Sequence, residues 1–155
     1  MNGDLFGDAH RCFGCGPRHP HGLRLDFRVE GSEVVTDFLP THEHESVPNV
    51  MHGGLVTTLA DELGGWVLIA LLDKFGFTGS MTTRFLRPVR IGTMLTGRGR
   101  VLKDSRRLVK VGVTLAQDGE TCFTSELTFV LLDRRGTEKM LAGPIPDAWQ
   151  RYFRE

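Results

Sequence analysis

The sequence predicts an α+β domain in which an antiparallel β-sheet wraps around one long central helix. Three observations carry that prediction: a long apolar segment of helical length, runs of alternating apolar and polar residues on both sides of it, and a strong hairpin signal at Asp118-Gly119. One buried helix against one antiparallel sheet is a stable layer arrangement, with the helix as its filling. At 155 residues the chain has the length of one domain with one sizeable core.

Residues 1–22 are rich in Gly, Pro and His, lack periodicity and read as an N-terminal arm containing Cys12-Phe13-Gly14-Cys15. Leu23, Leu25, Phe27 and Val29 then alternate with charged residues, the period of a strand with one wet face. Gly31-Ser32 turns the chain into a second strand over 33–39, and the loop 40–50 consists largely of turn and cap formers. The helix is predicted over 53–74, stopped near Gly76. Four strands follow, at 80–89, 93–103, 107–117 and 121–132, and the last two alternate most clearly, as in Val109, Val111, Val113 and Leu115. The core domain therefore spans 23–133, and 134–155 is a polar tail with a short helix from Ala148.

Composition narrows the function classes. With 19 basic and 19 acidic residues, the overall charge favours neither nucleic acid nor an anionic membrane as partner. The first ten residues carry neither a basic segment nor an apolar one, so no signal peptide is read. The longest unbroken apolar run, 66–72, falls far short of the roughly 20 residues of a membrane span, so no membrane partner is expected. Three cysteines form no disulfide framework, and a cytoplasmic location is expected.

The chemistry is expected at the helix. Thr57, Thr58, Asp61, Glu62 and Gly65 fall on one stripe of small or polar residues, which must face water, a partner subunit or a ligand. Gly53-Gly54 opens the helix, where bare N–H groups and the positive end of the helix dipole suit a developing oxyanion. Eight residues separate Gly53 from Asp61, a rise of roughly 12 Å. One substrate carbonyl cannot touch both in the same chain. Two helices packed antiparallel about a two-fold axis would bring Gly53 of one chain to Asp61 of another, so a dimer that builds the site is expected.

These residues resemble a family. His52-Gly53-Gly54 followed by Asp61, in the setting HGGLVTTLADELGG, resembles the motif of hotdog-fold acyl-CoA thioesterases of the phenylacetyl-CoA thioesterase (PaaI) type, and the element order resembles that fold over 23–133. The resemblance implies hydrolysis of acyl-CoA to free acid and CoA without a cofactor, in a homodimer or a dimer-of-dimers tetramer. Position by position it implies Gly53, and Gly54 beside it, as oxyanion donors. Asp61 becomes the nucleophile or the general base, and His52 shapes the helix start. Ser46 stands where some members carry a water-placing Asn, and Asn49 lies close by at a different spacing. Ser80, Thr82 and Thr83 are the candidates for a hydroxyl at the start of the strand after the helix.

Thr58 and Glu62 complete the expected substrate contacts on the helix. Glu62 is also the rival of Asp61, because neighbouring helical residues point about 100° apart and only one can aim at the thioester. Arg84 is the expected phosphate contact, with Arg87 and Arg106 as alternatives. The spacing of Cys12, Cys15, His19 and His21 is too compact for a usual zinc finger, and no metal ligand is assigned. The His42-Glu43-His44-Glu45 run reads as capping and rim residues. A hotdog hydratase would need a His paired with an acid, and a non-catalytic acyl-CoA-binding module would keep the groove without needing Asp61.

Overall fold

A computed structural model describes residues 11–153 of the chain. Six strands form one antiparallel sheet: β1 (Arg28–Glu30), β2 (Glu33–Phe38), β3 (Phe77–Phe85), β4 (Leu95–Asp104), β5 (Leu108–Gln117) and β6 (Glu120–Val130). Their spatial order is β1-β2-β4-β5-β6-β3, so the strand that follows the central helix closes the far edge of the sheet. The helix α1 (Gly53–Val67) lies across the sheet and continues into one π-helical turn, Leu68–Leu72.

The alternating patterns work as expected. Val109, Val111, Val113 and Leu115 of β5 and Phe123, Leu127 and Phe129 of β6 are buried beneath Leu59, Leu63 and Val67 of α1. Burying a side chain of this size contributes about 1.5–3 kcal/mol. Gly64 lets the sheet approach closely, since a Cβ there would lie 3.1 Å from both Leu127 and Phe129. The segment Gly53–Leu72 is long and apolar enough by composition to cross a membrane, yet its apolar side is covered by the sheet, with Leu59, Ala60, Leu63 and Val67 fully buried.

Three boundaries differ from the sequence reading, each for a local reason. Leu23, Leu25 and Phe27 are buried as the alternation requires, but their stretch pairs with the arm: Leu23 and Leu25 donate N–H bonds to the carbonyls of Phe13 and Gly14, both at 2.9 Å. Sheet pairing therefore starts only at Arg28. The helix ends at Asp73 rather than Lys74, in a left-handed residue at φ 53°, with Lys74 N–H closing on Leu68 O at 3.1 Å. β3 begins at Phe77, three residues before the expected Ser80, because Gly79 is a bulge inside the strand and not a break before it.

The polar tail holds a second helix, α2 (Arg134–Leu141), whose single buried residue, Thr137, is too little apolar signal to read. It starts at an Asp133 cap that accepts from Gly136 N–H at 2.7 Å. The terminal turn is 3₁₀, Asp147–Phe153, and Trp149, Tyr152 and Phe153 gather on Phe75.

Candidate active site

The loop before α1 is built to present the helix start. His52 N–H bonds His44 O at 2.8 Å, Met51 N–H bonds Val89 O at 2.8 Å, and the His52 ring Nδ1 accepts from Gly54 N–H at 2.9 Å. His52 is thus the helix cap, and the Gly54 N–H is turned to its ring rather than to a ligand. The N–H of Gly54, named beside Gly53 as an oxyanion donor, is therefore engaged within the cap. Gly53 lies beside the Phe85 ring, 3.4 Å from where its Cβ would stand. Thr57 and Thr58 spend their hydroxyls on Gly53 O and Gly54 O, at 2.9 Å each, so Thr58 serves the first helical turn.

Ser46 and Asn49 are turn residues. Ser46 N–H donates to Val50 O at 2.9 Å, while Asn49 sits at φ 65° with its N–H on the Glu45 carboxylate at 3.0 Å. That left-handed position suits Asn better than most residues. Glu45 also meets the His42 ring at 2.7 Å, which holds its carboxyl below the ordinary range.

Asp61 is half-buried, and its Oδ1 accepts from the Thr78 hydroxyl at 2.6 Å. Thr78 reaches it through the bulge. Cross-strand partners share a face of the sheet, and before Gly79 the pair is Thr78 with Phe129, whereas after it Ser80 pairs with Thr128 and Thr83 with Ser125. The extra residue puts Thr78, Met81 and Thr83 on the helix side and sends Ser80, Thr82 and Arg84 to the outer face, where all three are exposed. The hydroxyl that meets the acid is therefore Thr78, which the sequence reading missed, while Ser80, Thr82 and Arg84 lie away from it. Gly79 is its one mark in the sequence, and the shift in facing that it makes shows only in the pairing with β6.

Glu62 points elsewhere. Cys12 Sγ donates to its Oε1 at 3.2 Å, and Gly14 is pressed so close that a Cβ there would stand 2.6 Å from the carboxylate. The predicted stripe thus divides, with Asp61 turned to β3 and Glu62 to the arm. Burial pushes the Glu62 carboxyl up to about 8, helped by the charge of Cys12. The Cys12 thiol is held down to about 5, chiefly by its hydrogen bond with Cys15, against the effect of burial. The same contact, with burial, pushes Cys15 well above the thiol range.

Asp61, Thr78 and Gly65 share a cleft of about 190 Å³ with Cys12, Glu62, Trp66 and Phe75. A broader depression of about 860 Å³ beside Phe13, Phe38 and Leu55 lacks that acid and hydroxyl pair. Trp66, Phe75 and Phe77 line the smaller cleft, whereas Phe85 instead packs on Phe123 at 5.1 Å.

Residues 48–123, which contain α1 and the catalytic candidates on it, match the family model of the thioesterase superfamily. The chain carries a thioesterase-superfamily domain. Its fold is the hotdog fold, and its class is that of a thioester hydrolase. Among solved structures, this thioesterase is similar to a hypothetical thioesterase with coenzyme A from Streptococcus pneumoniae, at 20% identity and TM-score 0.65 over 69% of this chain and 87% of that one. A Streptococcus mutans protein bound to acetyl CoA matches at 22% identity and TM-score 0.66, over 70% and 88%. A putative thioesterase from Ralstonia eutropha, a phenylacetic acid degradation-related protein, matches at 24% identity and TM-score 0.64, over 70% and 86%. Among curated protein sequences nothing matches.

Proposed function

We propose that this thioesterase hydrolyses acyl-CoA to free acid and coenzyme A at a site shared between two copies of the chain, in the manner of the PaaI-type enzymes its helix motif resembles. The observation that carries the reading is the Asp61 carboxylate, fixed by the Thr78 hydroxyl at 2.6 Å in a cleft lined by Trp66, Phe75 and Phe77. Thr78 occupies Oδ1 and leaves Oδ2 for a water. Oδ2 takes a proton from that water as its oxygen attacks the thioester carbon. Negative charge then gathers on the carbonyl oxygen, and the Gly53 N–H at a helix N-terminus is the donor suited to it. Collapse expels the CoA thiolate, which takes the proton from Asp61.

Support comes from two sides. The relatives with coenzyme A and acetyl CoA share this fold, and the Streptococcus pneumoniae protein has also been solved with one threonine, and separately one aspartate, changed to alanine. The roughly 12 Å between Gly53 and Asp61 calls for Gly53 of the partner subunit. The edge of β3, unpaired among the described residues, with Phe85 57% and Leu86 53% exposed beside the helix start, is an apolar surface that a second copy would cover.

Release of free thiol from a panel of acyl-CoAs tests the chemistry. Asp61→Asn is expected to lose about 10²–10⁴ in rate. Unchanged hydrolysis in that variant removes Asp61 from the mechanism, and a wild type that binds acyl-CoA but hydrolyses none is a binding module. The shared site is tested by mixing Asp61→Asn with Gly53→Val. Random pairing of two inactive chains restores about a quarter of the sites if each site draws on both copies, and restores none if it does not.

A further inference from the structure

We propose that Cys12, Cys15 and Glu62 form a binding site for Zn²⁺, tying the N-terminal arm to the central helix at the residue next to Asp61. The site stands apart from the hydrolysis reading and does not depend on it. One ligand atom from each of the three lies within 4.8 Å of the others, and Cys12 Sγ is already 3.2 Å from Glu62 Oε1. Tetrahedral zinc with bonds of about 2.3 Å to sulfur and 2.0–2.2 Å to oxygen spaces its ligands about 3.5–3.8 Å apart. Small shifts therefore seat the ion.

The surroundings are those of thiolate ligands. Gly14 and Cys15 turn their backbone N–H groups to the Cys12 sulfur, and the Trp66 side chain hydrogen-bonds the Cys15 sulfur. Such outer donors fix the orientation of ligands and stabilise negative sulfur. The turn is closed by Gly16 N–H on Cys12 O at 2.8 Å, which presents both sulfurs from one loop toward one point. Gly14 is the residue whose backbone abuts the Glu62 carboxylate, leaving no room for any side chain between loop and acid.

Glu62 supplies the second argument. A carboxyl largely withdrawn from water and faced by two thiols is unfavourable unless something positive joins them. No Lys, Arg or His lies among its hydrogen-bond or charge partners in the described residues, which are Cys12, Cys15 and Asp61. A divalent cation meets that need, and two soft thiolates select zinc over magnesium or calcium. The ligand set also differs from the spacing of the sequence: His19 is engaged with Phe13 and with His21 N–H, and Glu62, fifty residues on from Cys12, takes its place. Cys12 and Glu62 both line the cleft, which gives the ion an entry path and leaves its fourth position to solvent.

The test uses the full chain, reduced with a phosphine, loaded with zinc and dialysed, followed by metal analysis; cobalt is loaded in parallel. One zinc per chain is expected, together with the thiolate-to-cobalt charge-transfer absorption and intense visible bands of a tetrahedral cobalt site. Cys12→Ser and Cys15→Ser should abolish that absorption. Glu62→Gln should weaken zinc by more than the roughly 10–100-fold that loss of an outer-shell partner costs. Asp61→Asn should retain one equivalent whether or not hydrolysis depends on it. A folded, fully reduced wild type that holds no zinc, or a Cys12→Ser, Cys15→Ser double variant that still holds one equivalent, overturns the site. Loss of zinc in His19→Ala overturns the ligand set. Should the cysteine variants fail to fold, the metal count and cobalt spectrum of the wild type decide by themselves.

Discussion

Asp61 and Glu62 are neighbours in sequence and occupy two different chemical worlds. Asp61 looks across to β3, where one hydroxyl bonds one of its oxygens and the cleft faces the other. Glu62 looks to the arm, where two cysteines and the backbone of Gly14 enclose it, and this burial, with the charge of Cys12, raises its carboxyl to about 8. A turn of about 100° between consecutive helical residues is enough to separate them. Which acid meets the strand hydroxyl and which meets the arm is thus settled by the element packed against each face.

The sharpest way to break that contrast is to exchange the two faces' roles by mutation. Asp61→Asn should lower hydrolysis about 10²–10⁴-fold with thermal stability nearly unchanged, because the amide keeps a Thr78 contact while losing the base; kinetics with a matched unfolding curve check both halves. Thr78→Val removes a hydrogen bond to a charged group, of about 1.5–3 kcal/mol, so about a 10–100-fold loss of kcat/KM is expected.

On the other face, Gly14→Ala drives a Cβ into the Glu62 carboxylate and should destabilise the chain by about 1–3 kcal/mol with intact kcat, measured by urea unfolding. The smallest effect concerns pH in the metal-free chain. Glu62, raised from 4.5 to about 8, gives stability that is full below 4.5 and lost as pH rises through about 8. Cys12, lowered from 9.0 to about 5, gives stability present above 9.0 and lost as pH falls through about 5. Between about 5 and 8 the two slopes oppose, so the wild type should be nearly flat and Glu62→Gln should gain stability with rising pH. A flat Glu62→Gln profile, read by unfolding midpoints across that window, would show that the two faces do not differ in this way.

The parts of this contrast that could be read in advance are those carried by periodicity. The strands β4, β5 and β6 and the body of α1 follow from alternation and from a long apolar run, and Asp61 stands out because an acid there conflicts with burial. Thr78 could not be read because the Gly79 bulge shifts the facing of β3 by one residue, which depends on pairing with β6. The His52 ring's hold on the Gly54 N–H depends on the ring's orientation, which two adjacent glycines in the sequence do not reveal. Glu62 lies fifty residues on from Cys12, and no local pattern marks such a meeting. α2 escaped notice because it rests on a single buried threonine.

The sheet order has a consequence for how the chain matures. β3 is made before β4, β5 and β6, yet among the described residues it pairs only with β6, the last of them. The strand carrying Thr78 therefore waits through some forty residues of further synthesis for its partner, and long-range pairing of this kind is slow to form. A nascent chain stopped before β6 holds the helix and its acid but has nothing to clasp β3 in place. The cleft is among the last features a ribosome-bound chain can complete, so premature release yields a molecule that displays apolar strand edge instead of activity.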